Sequence, residues 1–200
     1  MARAASPTPR EELARRPCIG LLETATVARG IEAADAILWR SEVAMLFCEP
    51  VSPGKFVSLF TGEVEEVRSS LLRGAEVAGD DRVDELLLPN VEATVAEALA
   101  GRFRAAPLAA LGVIETSTVA STIVAADVAC KTAAVVPVEI RLANALGGKA
   151  FVTLAGEVGD VRAAVHAGAE SAASRGRLVR EVVIARAHAA LERFVRGDRR

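Results

Sequence analysis

Gly20-Leu21-Leu22-Glu23-Thr24-Ala25-Thr26-Val27-Ala28 returns, 92 residues further on, as Gly112-Val113-Ile114-Glu115-Thr116-Ser117-Thr118-Val119-Ala120. Ala33-Ala34-Asp35 returns as Ala125-Ala126-Asp127 at the same spacing. Gly54-Lys55-Phe56 then answers to Gly148-Lys149-Ala150, Gly62-Glu63-Val64 to Gly156-Glu157-Val158, and Val67-Arg68 to Val161-Arg162, all 94 apart. The second copy therefore carries two extra residues before its Gly-Gly-Lys. A period this long marks a duplicated domain, and two copies are too few for a stacked array. The expected division is an N-terminal extension over 1–16, expected to be flexible, a first domain over 17–103 and a second over 107–196. The seam lies at Gly101 to Pro107, where Gly, Arg and Pro interrupt the apolar pattern.

Each copy reads alike. An apolar run opens it, at Cys18 to Leu22 or Leu108 to Ile114. A helix follows, with Val27, Ile31, Ala34 and Leu38 at helical spacing in one copy and Val119, Ile123, Ala126 and Cys130 in the other. Threonines just ahead can cap it. Two apolar runs around a Gly loop read as a strand pair: Ala44 to Cys48 with Phe56 to Phe60, and Val135 to Ile140 with Phe151 to Leu154. A second helix starts at Gly62-Glu63 or Gly156-Glu157, with Val64, Val67, Leu71 and Ala75 on one face. A closing strand, Val83 to Leu88 or Leu178 to Ile184, leads into a short tail helix, Val91 to Leu99 or Ala187 to Val195. The order βαββαβ with right-handed crossovers predicts an α/β fold of the α+β kind. It consists of two tandem ferredoxin-like domains, each a four-stranded antiparallel sheet with a C-terminal tail helix.

Composition limits the function. At 52% hydrophobic, 25% charged and net charge −2 the chain is ordinary globular material, with no push toward nucleic acid or an anionic membrane. Cys18, Cys48 and Cys130 are odd in number, far apart and in no CxxC pair, which argues against a disulfide framework or a zinc site and for buried thiols in a reducing compartment. Met1 to Arg16 has no apolar core, so no secretory signal is expected, and no apolar run of about 18 residues predicts a membrane helix. His166 and His188, the only histidines, have no ligand spacing. Lys55 and Lys149 follow glycines, but Phe56 and Ala150 come next, where a phosphate loop needs Ser or Thr. Asp35 and Asp127, mid-helix among alanines, read as structural carboxylates that bond a backbone group or a neighbouring subunit.

The string Leu111-Gly112-Val113-Ile114-Glu115-Thr116, Ala125-Ala126-Asp127, Lys131, Gly147-Gly148-Lys149 and Gly156-Glu157-Val158-Gly159-Asp160-Val161 resembles the signature of the bacterial microcompartment shell domain. Val183-Ile184-Ala185-Arg186-Ala187-His188 is similar to that family's Ile-Pro-Arg-Pro-His ending, with Ala for both prolines; the first copy matches more loosely. Both copies keep the unpermuted order, so the chain resembles the tandem class found in propanediol-utilisation shells. The resemblance implies no enzyme. It implies a homotrimer of pseudohexameric shape in the bacterial cytoplasm, tiling with hexameric and pentameric shell proteins into facets around a pore for small metabolites. Duplicated domains that keep one type of interface can close such a ring of six domains from three chains.

The resemblance also assigns residues. The Gly loops Ser52-Pro53-Gly54 and Leu146-Gly147-Gly148 would line the pore, although Ser52-Pro53-Gly54 also reads as a simple turn. Leu146 reads rather as packing against the neighbouring loop. Some relatives carry Cys where Ser52 stands and hold an iron–sulfur cluster on three such thiols. A hydroxyl is a poor substitute for thiolate, so no cofactor is expected here. Lys131 falls at the edge position that meets the neighbouring tile; Trp39, followed by Arg40, stands there in the first copy. Arg186 of the Arg-x-His ending is a further edge residue, with Asn90 and Glu92 as the first-copy counterparts of Arg186 and His188. Two alternatives compete: a redox carrier at the pore, disfavoured by Ser52, and a ligand-binding regulatory trimer, which would need convergent polar groups in a pocket.

Overall fold

The computed structural model describes residues 8, 11, 13, 15, 18–104, 106 and 108–195. Most of the expected extension over 1–16 lies outside the described residues; within it, Leu13 is buried in the apolar core. The first copy runs β1 (Ile19–Thr24), α1 (Val27–Arg40), β2 (Ala44–Val51), β3 (Lys55–Thr61), α2 (Val64–Ala78), β4 (Arg82–Leu88) and the tail helix α3 (Ala93–Leu99). The second runs β5 (Ala110–Thr116), α4 (Val119–Thr132), β6 (Val136–Arg141), β7 (Ala150–Gly156), α5 (Val158–Ser174) and β8 (Leu178–Ile184), with a 3-10 turn at Ala189–Leu191 and the short α6 (Glu192–Val195).

Both sheets are antiparallel, in the orders β2-β3-β1-β4 and β6-β7-β5-β8. This is the predicted ferredoxin-like topology, twice. Every residue of the central strand β1 is buried. Packing is close because the residues are small. A Cβ on Gly112 would stand 2.4 Å from Val165, and one on Gly168 would stand 2.6 Å from the Ala125 carbonyl, so glycine sets both the helix–sheet and the helix–helix approach.

In α1 the residues turned inward are Gly30, Ala33, Ala34 and Ile37. Ile31 and Leu38, which share the helical spacing of Val27 and Ala34, are 57% and 50% exposed. Periodicity marks the helix and leaves open which side meets its own sheet. One expectation needs correction. Cys48, expected to be buried, is exposed, on the edge strand β2. Cys18 is buried, and burial raises the Cys130 thiol to about 12.

Candidate functional site

Buried polar contacts join the two copies. The Glu23 carboxylate, fully buried on β1, accepts from the Ala120 amide at 2.9 Å and so caps the first turn of α4. Its other oxygen has no hydrogen bond among the described residues, and Lys55 Nζ stands 3.8 Å away. Burial, above all, holds this carboxyl up at about 7. Lys55 donates to the carbonyls of Ser117 and Gly148. Asp84 on β4 accepts from Thr118 Oγ1 at 2.6 Å and faces Arg175 and Arg177 at 3.6 and 3.7 Å. Asp127 takes the Glu92 amide at 2.7 Å, the structural role expected of it. Val91 and Val95 of the first tail are buried in an apolar cluster that spans both copies.

The junction thus joins two unlike faces. The first copy supplies β4, the tail and Glu23; the second supplies α4 and the loop before β8. Each copy also carries the face it does not use here. Strand pairing fixes the correspondence. Glu23 pairs with Asp84 as Glu115 pairs with Arg180, and the Ala25 amide bonds the Asp81 carbonyl as the Ser117 amide bonds that of Arg177. Ile123 is fully buried, whereas its counterpart Ile31 is 57% exposed. Leu86 is 5% exposed, whereas its counterpart Val182 is 43% exposed. Thr118 caps α4 through the Ser121 amide, whereas Thr26 makes no such cap on α1.

The two Gly loops adjoin. Ser52, Pro53 and Gly54 form an exposed turn closed by the Gly54 amide on the Val51 carbonyl, with φ of 119° at Gly54. In the longer loop Gly147 and Gly148 take φ of 62° and 82°, as do Ala143 and Ala145 at 60° and 59°. A Cβ on Gly148 would lie 3.2 Å from Pro53, so the loops of the two copies pack directly together. Leu146 is half-buried and lines a shallow groove with Phe151 and Phe194.

Of the edge residues, Lys131 and Asn90 come together: Lys131 Nζ donates to the Asn90 carbonyl at 2.9 Å and to Asp127 at 2.7 Å. Trp39, Arg40 and Arg186 are exposed. Glu92 and His188 hold equivalent positions, each accepting an amide two residues on and capping its tail. The junction contacts of Glu23, Asp84, Arg175 and Arg177 were missed by sequence reasoning. The repeat placed Glu23 and Glu115 in register, and an acid repeated at the same place in an apolar strand was the available signal.

No group of three or more His, Cys, Asp or Glu among the described residues could hold a metal, and no helix among them is long and apolar enough to cross a membrane. What the geometry defines is a duplicated α/β domain whose two copies are joined by a polar junction and adjoining loops. The BMC domain model matches residues 18–91 and 110–187, and the chain belongs to this family of bacterial microcompartment shell proteins, whose role is structural rather than enzymatic. It is 40% identical over 175 residues to the bacterial microcompartment shell protein PduT of Citrobacter freundii, covering 88% of this chain and 95% of that one. A solved microcompartment protein from Desulfitobacterium hafniense superposes with a TM-score of 0.81 at 46% identity, over 88% of this chain and 98% of the other. A fused permuted hexameric shell protein from the RMM microcompartment shares the fold, with a TM-score of 0.57 at 19% identity over 84% of this chain and 92% of that one.

Proposed function

We propose that three chains, each contributing domains over 17–103 and 107–196, close into a pseudohexameric shell tile by repeating between chains the junction seen within one. One observation carries the reading: the chain ends in two bare faces that match the two halves of its own buried junction. The α1 face, with Ile31 and Leu38 exposed, corresponds to the α4 face that the first copy covers. The β8 face, with Val179 and Val182 exposed by 44% and 43%, corresponds to the face that does the covering. Unlike faces that match head to tail give a closed ring or an open filament. Six domains in alternation close as three chains.

In that ring Glu115 caps α1 of the next chain, as Glu23 caps α4. The loops Ser52-Pro53-Gly54 and Leu146-Gly147-Gly148, already adjoining, then alternate around the axis and line a pore for small metabolites, with Ser52 giving its rim a hydroxyl. Lys131 and Asn90 mark one kind of corner; Trp39, Arg40 and Arg186 of the next chain mark the other. These corners form the tile edges that meet hexameric and pentameric shell proteins in the cytoplasmic shell. Light scattering after gel filtration, with negative-stain class averages, tests this. Three-chain particles shaped as hexagonal plates with a central hole are expected; monomers or compact dimers without a hole would overturn it.

A further inference from the structure

The two halves of the junction are not copies in charge. Within the chain, the carboxylate comes from the strand: Asp84, with a side chain 10% exposed, accepts from Thr118 Oγ1 at 2.6 Å and from Ser121 Oγ at 3.4 Å. The cations come from the loop, as Arg175 and Arg177 at 3.6 and 3.7 Å. On the bare faces the signs are exchanged. Arg180 stands at the strand position of Asp84, and Asp81 stands at the loop position of Arg177. Asp80 precedes Asp81 where Gly176 precedes Arg177.

Thr26, the counterpart of Thr118, donates to Asp81 Oδ2 at 2.6 Å. A threonine hydroxyl therefore holds a carboxylate in both copies. In one case it arrives from the other domain's strand, in the other from the copy's own loop. Arg180 is exposed and makes no ion pair among the described residues. The remaining charge on this part of α1, Arg29 at the position of Ser121, is held by Glu32 at 2.6 Å.

We propose that Arg180 of one chain pairs with Asp81 of the next, closing the chain-to-chain junction with a polarity opposite to that of the junction within the chain. The partner selected is a second copy of this chain, presenting its first domain to the other's second. This rests on the trimer reading and adds to it a rule of pairing. First domain against first would set Asp84 against Asp80 and Asp81. Second against second would set Arg180 against Arg175 and Arg177. Like charges across an interface suppress wrong partners, so both alternatives are rejected and only alternation is matched.

The test is charge reversal in the full chain: Arg180→Asp, Asp81→Arg and the two together, read by light scattering across a dilution series with circular dichroism to verify folding. Each single reversal is expected to weaken trimer association by about 10-fold or more, and the double reversal to restore it. A trimeric parent whose single reversals associate unchanged would overturn the pairing while leaving the trimer standing; a parent that is not trimeric would overturn both. If a reversal variant does not fold, Arg180→Cys with Asp81→Cys answers the question. A short bis-maleimide, which spans the gap the long arginine side chain leaves, should yield a covalent three-chain band absent from the parent, and a band at one chain only would overturn the proposal.

Discussion

Glu23 is a buried carboxyl that caps the neighbouring domain's helix, and its chemistry makes the junction sensitive to pH. Burial is the largest influence on it and raises it to about 7; nearby Asp84 pushes the same way, while the Ala120 amide and Lys55 pull against them. The unfolded chain returns it to the ordinary carboxylate range, so between about pH 4.5 and 7 the folded state binds the extra proton. Stability is then fully present below that window and falls as pH rises through it, by up to about 3 kcal/mol. Glu23→Gln keeps an acceptor for the Ala120 amide and carries no charge. Thermal melts at pH 5 and pH 8 should show the parent losing stability across the interval and the variant losing much less. An equal decline in both would assign the pH dependence elsewhere.

At the scale of elements, glycines decide how closely helices approach. A Cβ on Gly168 of α5 would meet the Ala125 carbonyl of α4 at 2.6 Å, an atom that moves only with its helix. On Gly74 of α2 it would meet Ile37 side-chain atoms at 2.6 and 2.7 Å. Overpacking of this kind costs about 1–3 kcal/mol. Gly168→Ala should fall at the upper end and Gly74→Ala lower, since a side chain can turn and a backbone carbonyl cannot; denaturant unfolding would rank the two, and a reversed ranking would count against the argument. The strands and helices themselves were legible in the sequence, because each copy confirmed the other's boundaries. The orientation of α1 was not. The same spacing that puts Val119, Ile123 and Ala126 in the interior of α4 leaves Ile31 and Leu38 bare on α1, because in α4 that side is covered by the other domain. The exchange of Asp84 for Arg180 was hidden for a related reason. Helix α5 has 17 residues against 15 in α2, so the two strands align only once their pairing with β1 and β5 is known.

At the scale of the molecule, the chain supplies its own reporter of assembly. Trp39 is the only tryptophan and there is no tyrosine. It is 83% exposed in the single chain, at the α1 position matching Lys131 on α4. Lys131 meets the carbonyl of Asn90 from the other domain's tail, and Arg186 is the counterpart of Asn90. Repeating the junction between chains therefore lays the tail near Arg186 over Trp39, where an indole gains both apolar cover and a guanidinium neighbour. Emission should lie at shorter wavelength in the assembled protein and move to longer wavelength on dilution, in step with the loss of mass seen by light scattering. Arg180→Asp should show the long-wavelength emission at concentrations where the parent does not. Emission independent of concentration, in a protein whose mass does change, would mean that chains associate through some surface other than α1.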